Sequence, residues 1–480
     1  IQKFADTYYQ VQIVLTCRLA AQDFYFRGFI YMEVADFDGS QIERFVQRWF
    51  VAQTPQQPEL GFAKAEQFLE QLHKREQQAI RELAVTPILL YLACLVFQQQ
   101  GAFPKKRSKL YQTGLEILLV RWDNARGIRR EQSNHALSVS DRINILSQVA
   151  ATFFERGQYL FEKREILPII ATYLSTLPGC SHDPEALWLE SEAVLQAIVL
   201  QHGLLVERAR DVYSFSHLTF QEYLTARRIF AQSMTQPDYA VGLADHVGDS
   251  DWQEVILLVI ELLPDASFLL LQMQERIQAV IQPDPTLQAI LQWAQHQATA
   301  HILPYKSAAL RAFYLSLDLV PGLDLAIALD PQIAFDLHTE LALDRELIYL
   351  LHQSQQFIAV PSLDQCFSLC FALDLQTKFL LPEQLLEQLE QLKAQLLDAS
   401  IDQKNLQQWC QTQGEIWLNQ LRQMLLQFRN IGQDWQLRID QQELLQRYYR
   451  SALFLIECLQ HLPRPSLQMQ QILEEKLLLP

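Results

Sequence analysis

Not one of the 14 glycines in this sequence is followed by lysine. A loop that cradles nucleotide phosphates needs Gly-x-x-x-x-Gly-Lys-Ser/Thr, because backbone N–H groups wrap the β-phosphate while the lysine neutralises it. No apolar strand ending in Asp, able to hold Mg²⁺, precedes Ile13. Catalysis by this chain alone is therefore not expected. Long hydrophobic runs are also missing. The longest, Ile88 to Phe97, falls well short of the ~20 residues of a membrane span, so no membrane partner is expected. Cations are in deficit: 39 Lys and Arg stand against 55 Asp and Glu, a net charge of -16. That field repels phosphate backbones, which makes nucleic acid an unlikely partner. Seven cysteines, at 17, 94, 180, 366, 370, 410 and 458, are scattered through apolar helical patterns. Their spacing excludes a disulfide framework and predicts buried thiols in a reducing, cytoplasmic setting. The opening Ile1-Gln2-Lys3-Phe4 has neither an initiator Met nor a signal-peptide pattern. We expect the sequence to be truncated upstream.

What is present favours helices. Leu and Gln abound, and 49% of the residues are hydrophobic against 20% charged, enough to bury real cores. The first segment has an α/β pattern: a short helix near Gln2–Tyr9, a compact strand at Val11–Leu15 and a second strand near Phe29–Val34. Ser40 with Glu43 reads as a capping box for a helix whose inner face holds Ile42, Phe45, Val46, Trp49 and Phe50. Thr86-Pro87 starts another helix, which Gly101 stops, and Leu110 to Trp122 marks the next. Three helices, near 141–156, 163–175 and 185–201, precede a hairpin made by Leu204–Val206 and Val212–Phe215. That order predicts a winged helix. Beyond about residue 240 the pattern is helical throughout. The triplet Ala-Leu-Asp recurs at 328–330, 342–344 and 372–374, and its aspartates read as helix caps on stacked short helix pairs. The predicted fold is mainly α, with a partial α/β remnant at 1–55, which a family resemblance carried by later motifs implies is that of a P-loop ATPase domain, and a helical domain at 56–137. A winged helix follows at 138–230, then an all-α C-terminal helical domain at 231–480.

Three features point to a ligand. Val14-Leu15-Thr16-Cys17-Arg18 is a buried strand running into polar residues. At the carboxyl edge of a parallel sheet, Thr16 and Arg18 would face a ligand crevice, where Arg18 either contacts a terminal phosphate or pairs with a surface carboxylate. Pro87 offers a rigid apolar edge to an adenine ring, or serves only as a helix starter. In Tyr213-Ser214-Phe215-Ser216-His217-Leu218-Thr219-Phe220-Gln221-Glu222-Tyr223-Leu224, a strand delivers His217 to its end and Thr219 is expected to cap the helix that follows. An imidazole there could donate to a diphosphate, or be purely structural.

The stretch Phe215 to Leu224 resembles the signature that ends the winged helix of NACHT-family STAND ATPases, Phe-x-His-x-Thr/Ser-Phe-Gln-Glu-Tyr/Phe. Thr16-Cys17-Arg18 looks like the family's sensor-1 strand end, with Cys17 where Ser or Thr is commoner. Thr86-Pro87 resembles its adenine-side motif, and Leu110-Tyr111 through Arg121-Trp122-Asp123 is similar to its intervening helix. All four occur in the family's order, within residues 11–230. The resemblance implies an ADP-locked switch in which Arg18 senses the γ-phosphate, Pro87 lines the adenine and His217 contacts the β-phosphate. ADP or ATP with Mg²⁺ is implied only for a longer parent that supplies the other half of the site. Self-oligomerisation of that parent on ATP exchange and a role in bacterial defence against phage are likewise implied. The helical tail is similar to C-terminal domains of bacterial NACHT conflict-system proteins, which implies a protein ligand or trigger there.

Two other readings compete: a winged-helix nucleic-acid-binding regulator and a helical interaction scaffold. Against the first, the expected recognition helix carries Glu185, Glu190 and Glu192 and no Lys or Arg before Gln201. Cys366 and Cys370 lie one helical turn apart with no Cys/His pair nearby to complete a metal site, so they read as core. Lys105-Lys106-Arg107 and Arg126–Arg130 read as solvated faces.

Overall fold

The structure, a computed structural model, describes residues 2–8, 11, 13, 27, 29, 35–74, 77–125, 137–178, 183–202, 204–300, 302–400, 402–462 and 466–480. Thr16 and Arg18 lie outside these residues, as do Arg126–Arg130 and most of the two strands expected before residue 35. The chain divides into two compact units, residues 1–240 with 254–264, and residues 241–253 with 265–480.

The first unit begins with helices α1 (Gln2–Thr7), α2 (Gly39–Gln53), α3 (Pro58–Leu72), α4 (Gln78–Ala84), α5 (Pro87–Gln100) and α6 (Arg107–Ala125). Helix α2 starts two residues earlier than its serine predicts. Asp38 is the N-cap: its carboxylate accepts from the Gln41 backbone N–H at 2.8 Å, and the Gln41 side chain accepts from the Asp38 N–H at 2.8 Å. Ser40 falls inside the first turn and donates its hydroxyl to Asp38. A carboxylate in extended backbone before the helix completes the same box two positions upstream. Apolar faces of α2, α3 and α5 meet through an aromatic core. Phe68 packs against Phe50, Phe97 and Phe103 with ring centroids 5.7, 5.2 and 4.8 Å away. Helices α5 and α6 approach closely at Gly114, where a Cβ would sit 2.4 Å from the Leu92 side chain. No larger residue fits without repacking.

The winged unit follows as α7 (Val139–Phe154), β1 (Phe161–Glu162), α8 (Lys163–Leu174), α9 (Pro184–His202), β2 (Leu205–Ala209) and β3 (Val212–Phe215). Its antiparallel sheet has the order β1-β3-β2, with Phe161 opposite Tyr213 and Leu205 opposite Phe215. Asp211, at φ 59, makes the hairpin turn, a left-handed position that Asp tolerates better than most residues. Phe161 of the first strand stacks on Phe153 at 4.3 Å, which ties the sheet to α7. Helix α10 (Leu218–Ser233) then packs along α7, and α11 (Asp238–Val241) and α12 (Gln253–Leu262) complete the sequence of elements through this unit. The described residues form a mainly α fold with this one small sheet.

The second unit is helical: α13 (Ser267–Ile281), α14 (Pro285–Ala300), α15 (Ser307–Asp318), α16 (Asp324–Leu329), α17 (Gln332–Phe335), α18 (Thr339–Ala359), α19 (Leu363–Ala372), α20 (Glu383–Ala399), α21 (Gln403–Trp409), α22 (Glu415–Arg429), α23 (Ile439–Gln460) and α24 (Leu467–Lys476). A π-helical turn, Cys410–Gly414, joins α21 to α22. Helix ends are closed by side chains from other helices. Trp293 donates to the Asn430 carbonyl at 2.7 Å and Gln297 to that of Arg429 at 2.9 Å. Gln274, Gln278 and Arg311 donate to carbonyls of the last turn of α24 and the residue after it, at Leu473, Lys476 and Leu477. Orphan carbonyls at a helix C-terminus are thereby satisfied inside the protein.

The Ala-Leu-Asp aspartates divide in role. Asp330 accepts from the backbone N–H groups of Lys306 and Gln332, both at 3.1 Å, as a cap should. Asp344 does not cap. It lies buried within α18, held by Arg429 at 2.6 Å and by the Tyr314 hydroxyl at 3.0 Å. Its triplet falls inside a long helix, so the recurrence is not a structural repeat.

Candidate functional site

His217 stands between β3 and α10. The strand is sealed into the winged core by Phe215, and the Ser216 N–H still bonds the Leu204 carbonyl at 2.7 Å, which extends the hairpin by one rung. The chain then turns into α10 with His217, not Thr219, as its N-cap in extended backbone (φ -137, ψ 146). Thr219 is the second residue inside the helix and is half-buried. The His217 side chain is exposed, with its ring edge-on to Phe220 at 6.4 Å.

Behind it the helix is fully engaged. Phe220, Gln221, Tyr223 and Leu224 are buried. Gln221 donates to the Gln158 carbonyl at 3.2 Å, in the turn that follows α7. Tyr223 stacks on Tyr111 of α6, centroids 5.1 Å apart and planes 11° apart. Thr219 lies beside the Tyr111 hydroxyl. Burial, reinforced by the carboxylates of Glu254 and Glu222, raises the Tyr111 phenol well above its ordinary range, and burial pushes Tyr223 up to about 12. Both phenols therefore remain protonated near neutral pH.

The first turn of α6 completes this inner site. Arg107, only 5% exposed, bridges Glu254 at 3.1 Å and Glu261 at 3.3 Å, both on α12. Glu261, 4% exposed, also accepts from the Ser108 backbone N–H at 2.8 Å, and its carbonyl accepts from Lys106 at 2.7 Å. A carboxylate set against helix N–H groups and a guanidinium is stabilised by both the charge and the helix dipole. The basic run at 105–107 is thus no solvated face at its end: Arg107 is an internal cation. Sequence reasoning passed over this site. The available signal was two glutamates seven positions apart in the otherwise apolar Glu254–Leu262 stretch, which places both on one face of a helix.

Pro87 is exposed at the first position of α5, after Thr86 as N-cap, whose side chain makes no capping bond. Just upstream, the Val85 carbonyl accepts from the Phe37 N–H at 2.9 Å. Beside that junction an open recess of about 420 Å³ is lined by Phe37, Phe45, Trp49, Gln41, Arg44 and Arg48. The helices opened by Pro87 and His217 both pack on α6. Of the four residues singled out from the sequence, these two are described; Thr16 and Arg18 are not.

Among the described residues no cluster of His, Cys, Asp and Glu is arranged to hold a metal, and no helix is long and apolar enough to cross a membrane. Cys94, Cys366, Cys370, Cys410 and Cys458 are free and buried.

A family model described as the winged helix-turn-helix domain C-terminal to NACHT matches residues 107–229. The match begins at Arg107 and so takes in α6, its buried arginine and the His217 stretch. A second, NACHT C-terminal Helical domain 2, matches residues 385–480, from α20 to the end of the sequence. No curated protein matches the chain. With the winged helix that follows NACHT in its first unit and a NACHT C-terminal helical domain in its second, the chain carries the C-terminal part of a NACHT-family protein.

Proposed function

We propose that this chain is the nucleotide-sensing and signal-transducing portion of an ATP/ADP-controlled NACHT switch that acts in the cytoplasm in bacterial antiviral defence. Its own residues provide sensor contacts, and a Gly-Lys-Ser/Thr loop outside this sequence grips the phosphates with Mg²⁺. The chain alone does not hydrolyse nucleotide. His217 donates to the β-phosphate of ADP, Pro87 borders the adenine, and Thr16 with Arg18 meets the terminal phosphate. Exchange of ADP for ATP releases the winged helix and lets the protein self-associate, while the helical region after residue 231 meets a protein trigger. The acidic α9, with Glu185, Glu190 and Glu192, supports a partner other than nucleic acid.

One observation carries this reading. His217 is exposed at the very start of α10, while Thr219, two residues on, lies beside the Tyr111 hydroxyl and Tyr223, six residues on, stacks on the Tyr111 ring of α6. A ligand held by the imidazole is coupled through a rigid helix to the core of the winged unit. A ligand biases such an element only by contacts that differ between its two states. In a protein extended upstream to include the phosphate loop, His217→Ala should weaken ADP binding about tenfold, the loss of one charge-assisted hydrogen bond. Isothermal titration reads this directly. Equal ADP affinity in the variant would remove His217 from the site.

A further inference from the structure

Helix α19 turns two phenylalanines outward. Phe367 is 53% and Phe371 77% exposed, one turn apart on the flank turned away from buried Cys366, Leu369 and Cys370. Asp364 and Ser368 share that outer face by helical spacing. From Pro361 to Asp402 the sequence holds seven carboxylates, two lysines and no arginine. Both lysines are already engaged, Lys393 with Asp374 at 2.6 Å and Lys378 with Glu346 at 3.5 Å. Asp364 on α19 and Glu383, Glu387, Glu390 and Asp398 on the adjoining α20 have no cation in ion-pair reach among the described residues. Helix α20 buries Leu385, Leu389, Leu392 and Leu396 and so turns these acids outward.

We infer that the outer face of α19, with Phe367 and Phe371 at its centre and the free carboxylates of α19 and α20 around it, docks a cationic amphipathic helix of a partner protein. The inference rests on the reading of the helical region as the part that meets a protein trigger, and names where and by what chemistry. Two aromatic side chains one turn apart match the ridge of a helix whose apolar residues recur at three and four positions. Exposed aromatics are the side chains that dominate binding once desolvated. Unpaired carboxylates around them select a basic partner and speed its encounter. A second copy of this chain, at net charge -16, is the wrong sign.

The test uses the 480-residue chain and an 18-residue Leu/Lys peptide that forms an amphipathic helix. A Gln/Lys peptide of equal charge serves as control. The Leu/Lys peptide should bind, and Phe367→Ser with Phe371→Ser should weaken it by about tenfold, the scale of losing a hot-spot anchor. Affinity should also fall as salt rises. Equal affinity in the double variant, or equally tight binding of the Gln/Lys control, overturns the proposal. So does concentration-dependent self-association of the chain that the double variant abolishes, since the occupant is then a second copy. If the double variant loses helix content, Phe371→Ser alone replaces it, with at least about threefold weakening expected. The peptide is titrated without nucleotide and ADP without peptide, so failure here and failure of the nucleotide reading are told apart.

Discussion

At Arg107 a single guanidinium answers two carboxylates of α12 within the first unit. Glu261 is almost fully buried, whereas Glu254 keeps about a quarter of its side chain exposed. Breaking a buried ion pair by deleting one partner typically costs about 3–5 kcal/mol, because the remaining charge keeps its desolvation penalty. Arg107→Ala should lower stability by roughly that amount in urea unfolding followed by circular dichroism. Arg107→Met combined with Glu261→Gln should recover part of it, since the most buried carboxylate is then neutral and only the part-exposed Glu254 keeps its charge. A loss in Arg107→Ala below about 1 kcal/mol, the value of a surface pair, would show the cluster to be solvated. The partners of Arg107, Glu254 and Glu261, lie 147 and 154 positions further on. No local window of sequence holds such a pairing, and for that reason the basic run looked like an outer face. Asp344 was misread for the same reason, with its arginine 85 positions away. His217 and its neighbours were legible because a strand, a turn and a helix meet there within twelve residues.

Helices set their ends by short-range chemistry, and there the sequence is most readable. Pro87 opens α5 and Gly101, at φ 71, closes it where expected. The winged unit was recognisable from three amphipathic helices and a turn-bearing hairpin, all local patterns. Caps were less secure: Asp38, within one turn of Ser40, took the N–H groups expected to bond the serine, and α10 starts after His217, whose side chain makes no capping bond, two residues before Thr219. Two caps make a pH prediction. Asp141 of α7 is held below the usual carboxylate range by the Ser138 hydroxyl and, next, the Tyr173 phenol. Asp284, before α14, is lowered by the Gln441 amide and the N–H groups of Leu287 and Thr286. In each case the folded carboxyl holds its proton less tightly than the unfolded one. Their stabilisation is therefore complete above the ordinary carboxylate pKa of about 4 and is lost as pH falls through the lower folded values. Urea midpoints measured from pH 6 down to 3 should decline at the acid end, and Asp141→Asn with Asp284→Asn should flatten that decline. An unchanged slope in the double variant would place the acid sensitivity elsewhere.

Taken whole, the molecule is two cores, and its unfolding should report both. Calorimetry should resolve two transitions, with Arg107→Ala lowering one and Arg311→Ala the other, because each arginine is internal to a different unit. A single transition moved equally by both variants would mean the cores melt as one. The second unit adds a further consequence through its glutamines. Gln274, Gln278 and Gln297 fasten one helix to the end of another, and Gln403 ties the start of α21 to the Pro361 carbonyl. An amide has no proton to lose in the physiological range and attracts no counter-ion atmosphere. Those joints are accordingly indifferent to ionic conditions, while the uncompensated acids around α19 and α20 feel every change in them. The cell's salt can retune what that surface attracts without loosening the frame that presents it.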